Sequence, residues 1–332
     1  MKGTTAVLML GWALAACSRD GTSQEESKMS QEPSKDFVRQ CVGRFCLDVP
    51  ASMTRLGDTF QFQYVEVEER LWEKPDDEAR KRVFEARLAK IEALKSQREL
   101  PDDAQGTIRE QRPFPAVGVR GVLFHRFDQP EIGTWGGLMA RGPVDVWMQI
   151  DGDVDREQEW ARRLTDVAAA YQLRDAKEPL PARGKDWFYL RQGVIALPMR
   201  EMEEAKSRFE GHPLGLKLKV STETVEEVRR QGLMDKLSNA MAMAGDSLGA
   251  DEDLVTQKYG ARKVAGLPGE ELIVRTSEGK RKRLRFLWSF PGKEDSASHP
   301  KFTIEMETSL EQEEAKLAFW DALLNSVRPA SQ

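Results

Sequence analysis

Apolar positions recur along the chain with two periods, and the two periods follow one another in the same order twice. Phe37 to Val49 reads as extended chain. Thr59 to Glu68 sets Phe60, Phe62, Tyr64 and Val65 or Val67 among polar residues, the two-residue period of a half-buried strand. From Asp76 to Gln97 the spacing changes. Val83, Phe84, Leu88, Ile91 and Leu94 recur at helical intervals with charges between them, and Asp76 and Asp77 suit the helix start. Four strands are predicted next, at Thr107–Arg112, Val117–Phe127, Thr134–Ala140 and Val144–Ile150, followed by an amphipathic helix over Asp155–Tyr171.

The segment "KEPLPARGK", with its break at Pro179 to Gly184, interrupts the pattern. Beyond it the order repeats. Trp187–Leu197 predicts a strand, Glu201–Phe209 a short helix and Leu214–Ser221 a strand. Thr224–Met243 predicts a long helix. Strands follow at Val255–Val264, Glu271–Thr276, Arg283–Trp288 and Phe302–Glu307, and Glu311–Val327 closes the chain as a helix. The echo is clearest near the ends of the halves: "VGVRGVLFHRF" and "VDVWMQID" before a helix with Trp160 match "GLPGEELIVR" and "FTIEMETS" before a helix with Trp320. The gaps between strands are too short for helical crossovers, so the strands should pair antiparallel. The expected fold class is α+β, with two related domains over residues 36–178 and 185–330, each an antiparallel β-sheet with helices packed on one face.

The first residues read as an address. A short uncharged run, Thr4 to Ala16, follows Lys2 and ends in Leu14-Ala15-Ala16-Cys17. Small residues before a cysteine resemble a bacterial lipobox. That resemblance implies a signal peptide over residues 1–16, acylation of Cys17, and a lipid-anchored periplasmic protein; Ser18 favours the outer membrane. An ordinary secretory signal is the alternative. Residues 17–35 are polar, with Met29 the one apolar residue after Cys17, and would form a flexible tether of about 23 Å. The net charge of −5, with both signs mixed along the chain, gives no basic stripe for nucleic acid. Cys41 and Cys46 lie five residues apart. In extended chain that is about 16 Å, beyond the ~7 Å a disulfide spans, so no bond is expected unless the chain turns at Gly43.

Candidate chemistry begins with Gly245-Asp246-Ser247-Leu248-Gly249, which fits Gly-x-Ser-x-Gly. A nucleophile elbow needs a strand before the serine and a helix after it. Here a predicted helix precedes the motif and "ADED" follows it, so Gly245 reads as a helix stop. The three histidines, His125, His212 and His299, are far apart in sequence and make no metal-ligand spacing. Acidic pairs such as Glu203-Glu204 and Glu313-Glu314 read as solvated helix faces, Glu270-Glu271 as a strand start, and "GTWGG" at Gly133–Gly137 as a hairpin turn. No cofactor, metal or small-molecule substrate is expected, which leaves binding as the function.

"CVGRFCLDVPASM" at Cys41–Met53 resembles the opening of the immunity proteins of type VI secretion lipase effectors, in the class that neutralises the fourth group of those phospholipases. "VIALPMREMEEAKSRFEGHPLGLKLKVST", "VAGLPGEELIVR", "FLWSFPG" and "AFWDALLNSVRPA" resemble the second domain of that family. Trp187-Phe188 departs from the family pattern, where a glycine and sometimes a cysteine is expected, so the resemblance supplies no long-range partner for Cys41. It implies a two-domain, pincer-like periplasmic protein that binds a cognate phospholipase effector and covers its active site. Candidate partner contacts are Trp135 in "GTWGG" and the acids Asp251, Glu252 and Asp253. Two other readings stay open: an envelope lipoprotein with a structural or assembly role, and a serine esterase using Ser247.

Overall fold

The computed structural model describes residues 36–93, 107–125, 129, 131–174, 180, 187–199, 201–228, 232–233, 252–278 and 281–331. Cys17, the tether, Ser247 and Asp251 lie outside them. The first half comprises β1 (Phe37–Val42), β2 (Phe45–Pro50), β3 (Thr54–Phe62), β4 (Val65–Leu71), α1 (Asp77–Glu92), β5 (Ile108–Phe114), β6 (Val119–Phe124), β7 (Ile132–Arg141), β8 (Val144–Asp153), α2 (Glu157–Ala170) and β9 (Tyr171–Leu173). The second comprises β10 (Phe188–Tyr189), β11 (Gly193–Ile195), β12 (Glu203–Glu210), β13 (Lys217–Glu223), β14 (Glu252–Val264), β15 (Leu267–Glu278), β16 (Arg281–Phe290), β17 (Lys301–Ser309), α3 (Glu313–Ser326) and β18 (Arg328–Pro329).

Both halves have one topology. A hairpin (β3–β4, or β12–β13) is followed by a four-strand meander (β5–β8, or β14–β17) whose last strand pairs with the hairpin's second strand; a helix then follows. Hairpins β3–β4 and β12–β13 meet along β3 and β12, which pair antiparallel. The result is one twelve-stranded antiparallel sheet, ordered β14-β15-β16-β17-β13-β12-β3-β4-β8-β7-β6-β5. The predicted α+β class with antiparallel pairing holds, but the two sheets expected, one in each half, are one continuous sheet.

Two small sheets bind the halves further. β1 and β2 form a hairpin in the first half, and their third strand is β18, from the end of the second half. β10 and β11 form the corresponding hairpin of the second half, and their third strand is β9, from the end of the first. Each half thus lends its last strand to the other. The turns of the two hairpins also meet, because Gly43 and Tyr189 exchange backbone hydrogen bonds of 3.0 and 2.8 Å.

The main core lies on the sheet face shared with α2, α3 and the small sheets. Trp135, Phe62, Phe209, Phe286, Trp288, Phe302 and Trp320 are buried there. Alternation sends the next residues to the opposite face. There α1 covers Val122, Phe124 and Trp147 with Phe84 and Ile91, so in the first half helices flank both faces. α1 starts where the sequence predicts: the Asp76 side chain accepts from the Glu78 amide at 3.1 Å, filling an otherwise empty first-turn donor.

Several predicted elements differ. Phe37–Val49 is a hairpin, not one strand, because Gly43 takes a left-handed φ of 59° and turns the chain. Cys41 then faces Cys46 with their Cα atoms 4.0 Å apart, and the two form a disulfide. Thr59–Glu68 turns at Gln63 and Tyr64 into two strands, and Trp187–Leu197 likewise divides into β10 and β11. Glu201–Phe209 is strand β12, not helix. Its buried positions are Glu203, Ala205, Ser207 and Phe209, a two-residue period that two polar residues hide from a hydrophobicity reading. Thr224–Val228, the start of the predicted long helix, is non-helical and makes an isolated bridge from Val225 to Glu294; most of the remainder to Met243 lies outside the described residues.

Candidate partner interface

Groups with potential chemistry resolve first into structural roles. The buried His125 places its Nδ1 3.3 Å from the Ile132 carbonyl. His212 accepts the Leu214 amide at Nδ1, 3.1 Å, and burial holds its pKa below the usual histidine value. His299 Nδ1 bonds Ser298 Oγ at 2.9 Å. Among the described residues no group of three or more His, Cys, Asp or Glu is placed to hold a metal ion.

Buried charges serve the joints between the halves. Arg44, in the β1–β2 turn, makes a two-pronged pair with Glu203 of β12, with Nε–Oε2 at 2.8 Å and Nη2–Oε1 at 2.7 Å. This is the buried partner that turns Glu203 inward, against its reading as a solvated helix residue. Arg55 of β3 donates to Ser207 Oγ of β12 at 2.7 Å, to Asp58 at 2.6 Å and to the Cys41 carbonyl at 3.2 Å. Glu69 of β4 caps the β10–β11 turn. It accepts the Arg191 and Gln192 amides at 2.9 and 2.8 Å and the Tyr171 hydroxyl at 2.7 Å. Burial raises its carboxyl pKa despite those donors. Burial, with the Glu69 carboxylate beside it, also pushes the Tyr171 hydroxyl pKa up. These groups hold the frame rigid and leave none of their chemistry free.

The proposed contact residues fare differently. Trp135 is 1 % exposed, with Nε1 bonded to the Glu157 carbonyl at 3.0 Å and its ring edge-on to Phe114. It is a core residue, not an exposed anchor. "GTWGG" is mid-strand in β7 rather than a turn. A Cβ on Gly136 would come within 2.5 Å of the Trp147 ring, so this glycine admits a neighbour's side chain. Glu252 and Asp253 open β14, the edge strand of the large sheet, opposite Glu278 and Ser277.

Sequence reading missed the charged rows on the outer face of the second half. The meander there outgrows its counterpart: β14 and β15 run 13 and 12 residues, against 7 and 6 for β5 and β6. Across β12, β13, β17, β16 and β15 lies a groove of about 610 Å3. Leu272 and Val274 in its lining are buried against Leu233, with Leu254 and Leu287 beside them. The rows of the sheet supply charge. In one, Arg208 of β12 lies directly opposite Lys219 of β13, which lies opposite Glu305 of β17. In the next, Lys217 lies opposite Glu307, which lies opposite Arg285. Lys219 bonds Glu305 at 3.4 Å, and Glu307 is shared by Arg283 and Arg285. Arg208 and Lys217 are exposed and, among the described residues, have no ion-pair partner. Only the strand register brings these residues together. Their one sequence-level signal is the polar phase of an alternating strand.

Comparison with known proteins gives a consistent picture. Residues 188–331 match the family described as Tle cognate immunity protein 4 C-terminal domain. No curated protein is matched by the sequence. Among solved structures, "The crystal structure of Tle4-Tli4 complex" contains a chain 20% identical to this one, covering 91% of this chain and 100% of that chain with a TM-score of 0.71. The apo structure of immunity protein TplEi of T6SS from Pseudomonas aeruginosa is 19% identical and covers 89% of this chain and 98% of that chain, with a TM-score of 0.69. The same protein complexed with "L" peptide gives 19% identity and a TM-score of 0.66, over 90% of this chain and 99% of that chain. At these identities the likeness is one of fold, and it spans both halves.

Proposed function

We propose, because residues 188–331 match the family described as Tle cognate immunity protein 4 C-terminal domain, that this chain protects its producer by binding a cognate type VI lipase effector and covering that enzyme's active site. The family match carries the reading, and the fold shared with an immunity protein over both halves supports it. The chain acts in this reading as a stoichiometric binder, not as an enzyme. Its place is the periplasm, held by a lipid at Cys17, with both halves contributing to the grip.

Co-expression in the periplasm with a candidate type VI lipase effector tests the function. Cells making both should survive, and cells making the lipase alone should lyse. Equal killing with and without this chain would end the inhibitor reading. The anchor has its own test: Cys17→Ala should move the protein from the membrane fraction to the soluble periplasm, and unchanged fractionation would refute acylation.

A further inference from the structure

The tip of the β1–β2 hairpin is inserted into the second half. Gly43 and Arg44 form that tip, and the second half closes tightly around it. A Cβ on Gly43 would come within 2.9 Å of Thr222 Oγ1, 3.1 Å of the Ala205 side chain and 3.5 Å of the Phe188 ring. Gly43 exchanges backbone hydrogen bonds with Tyr189, and the Arg44 carbonyl accepts from the Ala330 amide at 2.8 Å. The Arg44 guanidinium reaches Glu203 and the Leu197 carbonyl. One cross-strand pair behind the tip, past Val42 and Phe45, stand Cys41 and Cys46. Their disulfide ties the two stems of the tip together. The contacts it supports also cover it: Cys41 is 3 % and Cys46 0 % exposed, packed with Tyr189, Val194 and Ala330 of the second half. Tyr189 belongs to β10 and Ala330 follows β18, strands of two residues each. Strands so short open at lower cost than the twelve-stranded sheet.

We infer that the Cys41–Cys46 disulfide is a redox lock on the joint between the halves: forming it sets the tip for docking, and the docked second half then keeps reductants from the bond. This holds independently of the proposed function. Formation removes two electrons and two protons from the pair of thiols, and an external disulfide takes them up as two thiols. The exchange needs a sulfur within reach of its partner, so it precedes the docking of Tyr189 and Ala330. Chain order allows this, because the hairpin opens the described fold and β18 closes it. Without the bond, backbone pairing alone holds the stems. The undocked tip then samples more conformations, and docking it loses more entropy. Every contact that depends on the shape of the tip weakens together. Those contacts are the joint and the two small sheets, not the meanders.

The test uses the purified chain carrying Cys17→Ala, which leaves Cys41 and Cys46 as its only cysteines. Dithiothreitol is added under native conditions, and free thiols are alkylated and counted by mass spectrometry over time. Reduction should be about a hundredfold slower, or more, than in the urea-unfolded chain. Arg44→Met loosens docking and leaves both cysteines in place, so it should speed native reduction about tenfold or more. Leu164→Ala, in the first-half core on α2, should change it by less than about twofold. A second measurement needs no further substitution. Hydrogen exchange of the oxidised chain is compared with that of the same chain refolded under reductant. The Gly43, Tyr189 and Ala330 amides should exchange about tenfold faster or more when reduced, and the β16–β17 amides within about twofold. Native reduction as fast as in the unfolded chain would show that the bond is open to reductant. Equal acceleration by the two variants would show that it is reached only through unfolding of the whole chain. Either result overturns the lock. So would tip amides as well protected in the reduced chain as in the oxidised one. A reduced chain unprotected throughout would make the bond a staple of the whole fold, and would overturn the inference as well.

Discussion

The two halves of this molecule share a topology and differ in what they do with it. Gly118 and Gly266, both at positive φ, turn the first hairpin of each meander, and Gly121 and Gly269 follow three residues later. Trp135 opposite Ile150 is matched by Trp288 opposite Ile304. Beside these constants, the first half covers part of its outer face with α1, whose Phe84 and Ile91 pack on Val122, Phe124 and Trp147. The second half lengthens its strands, buries Leu272 and Val274 under Leu233, and carries rows of charge beside them. The inner faces diverge too. Leu123 sits opposite Trp135, but Glu271 sits opposite Trp288, buried and bonded to Trp320 Nε1 at 2.7 Å, Arg262 at 2.9 Å and Lys258 at 2.8 Å. A duplicated scaffold keeps the residues that make the sheet and varies those packed on it.

The strongest way to probe the shared part is to remove the matched tryptophans. Trp135→Ala and Trp288→Ala should each cost about 3–5 kcal/mol in urea unfolding, as large buried side chains do. A cost below about 1 kcal/mol at either position would show that the two cores are not equivalent. Next comes the joint. Arg44→Met should cost about 3 kcal/mol, because it strands the buried Glu203 carboxylate, and adding Glu203→Leu should restore most of the loss. A double variant as unstable as the single one would show that the pair stabilises beyond its own mutual satisfaction.

The two hairpins sharpen the comparison further, because each is fastened by different chemistry. β1–β2 carries the Cys41–Cys46 disulfide, while the β10–β11 turn is held by the Glu69 carboxylate. Cys41→Ser with Cys46→Ser should cost about 2 kcal/mol, the closure entropy of so short a loop, measured against the oxidised wild type. The smallest effect concerns pH. A folded-state pKa raised by burial means that the unfolded chain loses its Glu69 proton first as pH rises. The wild type should therefore lose stability as pH climbs from the unfolded value of 4.5 through the higher folded one. Glu69→Gln should flatten that part of the melting temperature profile, and an unchanged slope would assign it to other carboxyls such as Asp48, which burial also raises.

What the sequence reveals follows from what period two can express. β13 was readable because Leu216, Leu218 and Val220 mark its buried face, and the meanders because short gaps forbid crossovers. β12 was not, since Glu203 and Ser207 are buried through partners 159 and 149 residues away in the chain. The disulfide hung on a local condition that spacing alone leaves open: one glycine at positive φ converts a 16 Å extended span into a cross-strand pair. Trp135 looked exposed because it sits among glycines, which in fact leave room for rings packed from neighbouring strands. The charged rows of the second half lay furthest from view. Arg208, Lys217 and Lys219 were present as polar alternation, but only pairing across β12, β13 and β17 makes a surface of them.

The exchange of β9 and β18 has a further meaning. Two copies of a single half, each completing the other's small sheet with its tail, would make a symmetric swapped dimer. Joining those copies end to end gives the arrangement present here, with β9 and β18 still in each other's sheets. Symmetry in such a dimer binds every change to appear twice. Once the copies share a chain, each can change on its own, as the residues opposite the matched tryptophans, Leu123 and Glu271, have done, and neither can leave.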